Sequence, residues 1–373
     1  MTHLERITLR EIRLSLREPF KISSGTCADR RVLLLELHDA DGVSVWSECV
    51  APDFPNYTAE TIETAWTAIT LWIAPRVIGR SFELPGDVYP VLERDFRGHQ
   101  MAKAGVEMGL WALEAQRRDM PLARLLGGTR DRIATGISLG IEPDPASLVA
   151  KARDAFRQGY QKIKIKIMPG SDVGFVRAAR EELGPAAPLM ADANNAYTLD
   201  DVGTLAELDE LGLMMIEQPL AWDDLVRHAE LQRRLRTPVC LDESITSLER
   251  AMDMVTLGSG RIINIKPGRV GGYASSLAIH DFCQQHGIPV WCGGMFESGV
   301  GRAYNVALAS LPNFTKPGDV SPSARYWERD IVTPEWTMDG GGMVRVPLDQ
   351  PGIGVAVDRD RVENLTVRVE ELR

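Results

Sequence analysis

From about Ile133 onward the chain alternates short apolar runs with amphipathic helical stretches, and this alternation restricts its fold more than any other feature. The runs are Ile133–Leu139, Lys162–Ile167, Leu189–Ala191, Leu213–Ile216, Val239–Leu241, Arg261–Ile265 and Pro289–Trp291. Helical spacing falls between them, near Pro145–Gln158, Val173–Leu183, Leu199–Leu211, Asp224–Leu235, Leu248–Leu257 and Tyr273–His286. Each unit specifies a strand followed by a crossover helix, and serial units build a parallel sheet. About eight strands over roughly 190 residues suit a closed α/β barrel, with an open doubly wound sheet as the alternative.

The 373 residues exceed one ordinary core, so a second domain is expected. The first third reads as α+β. Ile7–Leu16, Arg31–Leu37 and Val43–Val50 are rich in β-formers, with a turn at Asp41-Gly42. A helix is expected over Ala59–Ile78, capped by Thr58, and a second over His99–Arg118. The expected division is an α+β cap over residues 1–130, a barrel over 131–325, and a segment 326–373 that folds back onto the cap.

Polar residues end the apolar strands. Asp192, Glu217, Asp242 and Lys266 each follow a run of three apolar or strand-forming residues, and they recur about every 25 residues, the length of one barrel unit. They therefore sit at equivalent heights at the C-terminal strand ends, where barrel active sites form. Any one acid alone could cap a helix or make a loop ion pair. Three in register would repel one another unless a cation neutralised them, and an all-oxygen set favours Mg²⁺, with Mn²⁺ as a substitute, over zinc.

Lys162-Ile163-Lys164-Ile165-Lys166-Ile167 alternates with period two, so the lysines share one face and the isoleucines the other. In a barrel the isoleucines face the helices and the lysines the interior. A buried ammonium needs a partner, which places the acidic site close by. Lys162 sits deepest, in a structural role. Lys166 and Lys266 lie across the barrel from one another and can reach opposite faces of a carbon held between them. Removing the proton α to a carboxylate creates a dianion, and a metal with cationic lysines stabilises charge where it develops.

A net charge of −10 excludes a general nucleic-acid or anionic-membrane surface. No apolar run approaches the roughly 18 residues a membrane helix needs. Cys27, Cys49, Cys240, Cys283 and Cys292 are scattered without metal spacing and read as reduced thiols of a cytoplasmic protein. The partner expected is a small-molecule carboxylate.

These residues resemble the enolase superfamily, in its muconate-lactonizing subgroup. The match runs in order through Lys164-x-Lys166, Asp192-x-Asn194, Glu217-Gln218-Pro219, Asp242-Glu243-Ser244 and Lys266-Pro267-Gly268. Within it the chain is similar to the o-succinylbenzoate synthase/N-succinylamino acid racemase family, through Pro19–Thr26, Gly293–Gly299, Asp319–Pro322 and Arg325–Trp327. The resemblance implies a modified TIM barrel, (β/α)7β, with an α+β N-terminal capping domain completed by the C-terminal segment. It implies Mg²⁺ on Asp192, Glu217 and Asp242, with Lys166 and Lys266 as acid/base groups. It further implies that Lys164, Asn194, Ser138 and Gly294 lie near the substrate, along with Met295 and Phe296. Loops Lys21–Thr26, with Ser23, and Pro55–Tyr57, with Tyr57, would close over the site from the cap. Arg269 would tune Lys266 from behind, the alternative being a surface arginine at a helix start; Glu243 would stand behind the site as well. Phe296 replaces an aliphatic residue and would narrow the acyl pocket. Glu297 reads either as a pocket acid or as a partner for nearby backbone.

The reaction implied is α-proton abstraction, leading to o-succinylbenzoate synthesis in the menaquinone pathway, to N-acylamino acid racemisation, or to both. The resemblance also implies a homo-oligomer. A muconate cycloisomerase shares the metal and lysine pattern, but a dipeptide epimerase would show Asp-x-Asp where Gly293-Gly294-Met295-Phe296 stands. Mandelate-type enzymes use a His–Asp dyad, and none of the six histidines falls at a barrel strand end.

Overall fold

Alternating apolar residues in the first fifty positions make one face of a sheet. In the computed structural model, which describes residues 1–373, strands Thr2–Ile22, Gly25–Asp39 and Ser44–Cys49 pair antiparallel in sequence order. Helix Gln100–Arg117 lies on this sheet. Gly109 allows its close approach, since a Cβ there would stand 2.6 Å from Leu37 Cδ1. A helix-interior glycine costs about 1 kcal/mol of helix propensity, which the buried contact offsets.

The first two strands run beyond the expected Ile7–Leu16 and Arg31–Leu37. Phe20 pairs with Cys27, Lys21 with Thr26 and Ile22 with Gly25, so the expected loop Lys21–Thr26 is the tip of a β-hairpin. The expected cap at Thr58 is displaced to Thr61, whose side chain accepts from Thr64 N at the start of helix Ile62–Ala68. Residue 60 cannot be helical there because Glu60 caps another helix, accepting from Met101 N and Ala102 N. The same helix widens into a π-turn over Ile69–Ile73, just before Pro75 removes a backbone donor. The tail holds a helix, Arg359–Leu365, that its β-rich composition did not suggest. Strand Thr366–Leu372 then pairs antiparallel with the first strand, Ile7 facing Leu372.

Seven parallel strands follow in chain order: Gly136–Leu139, Lys162–Lys166, Leu189–Asp192, Ile216–Glu217, Val239–Leu241, Ile262–Ile265 and Val290–Cys292. Residues 316–319 close the ring. Lys316 N and Asp319 N donate to Val290 O and Cys292 O on one side, at 3.3 and 2.8 Å. Gly318 exchanges bonds with Ala134 O and Gly136 N on the other, at 3.0 and 2.7 Å. A closed barrel, rather than an open sheet, is the result. The expected strand Ile133–Leu139 splits at Thr135, because Arg132–Ala134 pairs with Met343–Arg345 outside the barrel.

The barrel floor is a small separate apolar cluster of Met190, Met215, Cys240, Ile262 and Trp291. All five cysteines are free thiols, four of them buried. No helix is long and apolar enough to cross a membrane.

A buried carboxylate joins cap to barrel. Glu107, in the cap helix, accepts from Tyr273 N and Ala274 N, at 2.7 and 3.0 Å, where barrel helix Tyr273–Gln285 begins. Burial pushes its carboxyl up to about 7, against the pull of those donors. An acid with a raised folded pKa binds its proton more tightly when folded, so stability falls as pH rises from about 4.5 to about 7. Unfolding midpoints of the native protein and Glu107→Gln, compared at pH 5 and pH 8, are expected to show a smaller pH dependence in the variant, by on the order of 2 kcal/mol. Equal pH dependences would refute the assignment.

Candidate active site

Strand Lys162–Lys166 supplies three of the site's cations. Ile163 and Ile165 are fully buried against the outer shell. The three lysines turn inward, where Gly136 leaves room: a Cβ there would meet Lys162 Cε at 2.5 Å. Lys162 Nζ lies 3.4 Å from the Trp291 ring centre and 2.9 Å from Asp319 Oδ1. Lys164 Nζ contacts Asp319 Oδ2 at 2.5 Å, Glu217 Oε2 at 3.2 Å and Asp192 Oδ2 at 3.3 Å. Lys166 Nζ donates to Asp192 Oδ2 and Asn194 Oδ1, both at 2.6 Å.

Across the barrel, Lys266 Nζ donates to Asp242 Oδ2 at 2.8 Å and stands 4.3 Å over the Tyr57 ring. Lys266 passes above Gly293, where a Cβ would lie 2.6 Å from its Cε. Only glycine fits. The Tyr57 hydroxyl donates to Asp242 Oδ1 at 2.8 Å and accepts from Arg269 Nη1 at 3.1 Å. Arg269 also pairs with Asp242 and is buried, so it is no surface arginine. Its other donors go to Ile245 O and Asn264 O.

Asp192 and Glu217 are direct partners on neighbouring strands, and Asp242 lies two residues beyond the partner of Glu217 on the next. Burial, and after it the neighbouring Asp192 carboxylate, push Glu217 up to about 8. Burial opposes the charge of Asp192 too, but Lys166 and Lys164 hold its carboxyl well below the usual range. Lys266 is held above its ordinary value: burial disfavours its charge, and Asp242 foremost outweighs that. In the present rotamers the carboxylates turn toward the cations, and no three of them converge on one point. Chemically the set still fits a hard divalent cation: three buried oxygen donors on adjacent strand ends, with Glu217 short of compensating charge.

Ser138, Lys164, Lys166, Asn194, Lys266, Gly294, Met295, Phe296 and Tyr57 line one cavity of about 250 Å³. Ser23 does not reach its wall; the hydroxyl is spent on the carbonyls of Ala193 and Asn194, at 3.2 and 3.1 Å, tying the hairpin tip to the barrel. Glu243 lies behind, accepting from Asn195 Nδ2 at 3.2 Å. Burial, and then Asp242, push it up to about 7. Glu297 serves nearby backbone, accepting from Met295 N at 2.8 Å. Three strand-end residues, Asn194, Asn195 and Gln218, hold positive φ of 41°, 67° and 37°, strain of the kind found at functional sites.

Sequence reasoning missed two contributors. Asn264 donates to Glu217 Oε1 at 2.7 Å; its alternation with Lys266 on one strand was a usable signal. Asp319, partner of both Lys162 and Lys164, opens a segment that carries the resemblance, but it follows Pro317-Gly318 on a closing stretch without β-former character, which gives no sign of its place in the barrel.

Residues 147–361 match the family described as enolase C-terminal domain-like, and residues 5–127 the mandelate racemase/muconate lactonizing enzyme N-terminal domain. An o-succinylbenzoate synthase from Bacillus subtilis (strain 168) is 46% identical over 370 residues, covering 99% of this chain and 98% of that one. An N-succinylamino acid racemase from Amycolatopsis sp is 44% identical over 363 residues, covering 97% of each. The crystal structure of an enolase-superfamily member from Listeria innocua Clip11262 superposes with a TM-score of 0.95 at 38% identity, covering 100% of this chain and 99% of that one.

Proposed function

This chain belongs to the o-succinylbenzoate synthase/N-succinylamino acid racemase family of the enolase superfamily, and we propose that Lys166 and Lys266 carry out its α-proton chemistry on an N-acylamino acid or the synthase substrate. The observation that carries this reading is the entry of both ammonium groups into one cavity beside three buried acids.

Asp192, Glu217 and Asp242 would hold a divalent cation, Mg²⁺ by donor chemistry, which when bound fixes the substrate carboxylate and stabilises the negative charge that develops on it. Lys166 and Lys266 then face the α-carbon from opposite sides. In the synthase direction Lys166 takes the α-proton and then returns a proton to the departing β-hydroxyl, so that the C–O bond breaks and water leaves, while Lys266 stays cationic beside the anion. In the racemase direction one lysine accepts the proton on its face while the other delivers one on the opposite face. Lys164, between Asp319, Glu217 and Asp192, supplies fixed positive charge. Asn194 orients Lys166, and Arg269 and Tyr57 share Asp242 with Lys266 and so set the charge that Lys266 sees. A cytoplasmic setting with reduced cysteines belongs to the same reading.

The test assays purified protein against the cyclohexadienyl synthase substrate and a panel of N-succinyl and N-acetyl amino acids, before and after chelation. Solvent deuterium should enter the α-position, cease when the metal is removed, and return with Mg²⁺. Absence of both exchange and dehydration in the presence of Mg²⁺ would end this proposal.

A further inference from the structure

Two carboxylates that take no part in the proton transfer lie behind the pocket loop 293–298. This loop carries Gly294, Met295 and Phe296 into the cavity. Phe296 sits at φ 57°, a left-handed conformation that a bulky residue keeps only where its surroundings impose it. On one side Glu297 Oε1 accepts from Met295 N and Asn305 Nδ2, both at 2.8 Å. On the other, Glu48 reaches across from the cap strand Ser44–Cys49. Its Oε2 accepts from Ser298 N at 3.1 Å, Ser298 Oγ at 2.6 Å and Gly301 N at 3.1 Å.

Both acids are buried, at 1% and 3% exposure, so their bonds are not shared with solvent. Gly301 is wedged between them; a Cβ there would lie 2.8 Å from Glu48 Oε2 and 2.8 Å from Glu297 Cβ. The Phe296 ring, pinned on both flanks, ends edge-on between Phe20 of the cap and Tyr326 of the tail, at centroid distances of 5.2 and 5.5 Å.

We propose that Glu48 is a specificity-determining positioning residue: through Ser298 and Gly301 it sets where the Phe296 ring stands in the cavity, and so which acyl group fits. This rests on the N-acylamino acid reading of the site. Glutamine at position 48 keeps the shape but offers one acceptor oxygen where the carboxylate offers two. Its amide oxygen can stand in for Oε2 only with the N–H groups in the place of Oε1, which lies 3.4 Å from Ser298 N, so one N–H would face that backbone donor and the loop would relax toward an unstrained φ.

The experiment measures kcat and KM of the native protein, Glu48→Gln, Phe296→Ala and the double variant, on N-succinyl and N-acetyl forms of one amino acid. Glu48→Gln is expected to change the ratio of the two kcat/KM values by about tenfold, mainly through KM, since acyl fit rather than chemistry is altered. In the Phe296→Ala background that change should vanish, because the ring through which Glu48 acts is gone. Equal losses on both substrates, or a ratio shift that persists without Phe296, overturn the proposal. Amide hydrogen exchange over residues 293–301 provides a readout that needs no turnover. Protection should fall by about tenfold in Glu48→Gln while the barrel strands keep theirs. Should the native protein process neither substrate, the proposed function fails, and unchanged protection would then reject the present inference on its own. If Glu48→Gln does not fold, Ser298→Ala and Gly301→Ala disturb the same contact from the loop side and should shift the same ratio.

Discussion

Replacing Lys266 with alanine is expected to lower racemisation by a factor of about 10²–10⁴, the range that one positioned acid/base group contributes. Lys266 Nζ has one hydrogen-bond partner, Asp242, and otherwise faces the cavity above the Tyr57 ring. Its removal leaves Asp242 supported by Arg269 and by the Tyr57 hydroxyl, so the acid is not orphaned and the fold should hold. Lys166→Ala should lose racemisation to a similar degree, because a two-face mechanism requires both groups. The two variants differ in a diagnostic way. Each should retain deuterium exchange with the one enantiomer whose α-proton faces the surviving lysine. Proton NMR in D₂O, run separately on the two enantiomers, reads this directly. Unchanged racemisation in either variant would remove the two-lysine mechanism.

Asp319→Ala is expected to destabilise the protein by about 3–5 kcal/mol, the cost of breaking a buried ion pair from one side. Burial works against the charge of Asp319, yet Lys162 and Lys164 hold its carboxyl far below the usual carboxylate range. Lys162 is fully buried, with the Trp291 ring against its ammonium and an apolar floor beneath it. Without Asp319 it has no other carboxylate within ion-pairing distance, whereas Lys164 still touches Glu217 and Asp192. The expected loss is therefore carried mainly by Lys162. Adding Lys162→Met should recover much of it, since an apolar chain of similar length suits that floor. Guanidinium unfolding of the single and double variants measures both effects. A double variant as unstable as Asp319→Ala alone would show that Lys162 is not the group left stranded.

The positions proposed to carry the chemistry are readable along the chain. Period-two alternation put Lys162, Lys164 and Lys166 on one face, and the repeat length put Asp192, Glu217, Asp242 and Lys266 at matching strand ends. The structure keeps the three lysines inward and brings the acids to adjacent strand ends. Local capping was less legible. Thr58 and Thr61 are equivalent by type, and the choice falls to Thr61 because Glu60 is needed by a helix forty residues away. Arg269 could be a surface residue or a buried one on sequence grounds, and its burial against Asp242 depends on Tyr57 arriving from the cap.

What the sequence by itself determined was the strand-and-helix repeat, the inward face of each strand and the residue at its end. These follow from periodicities of two and 3.6 and from a repeat length, all expressed within a single element or unit. Tertiary structure alone decided the closing of the barrel through residues 316–319, the pairing of Asp319 with Lys162 and Lys164, and the cap contacts of Tyr57 with Asp242 and Glu48 with Ser298. The physical reason is desolvation. Which buried charge finds which partner depends on all the groups that exclude water around it, and those come from strands, a cap and a tail that are distant in sequence and adjacent only once the chain has closed.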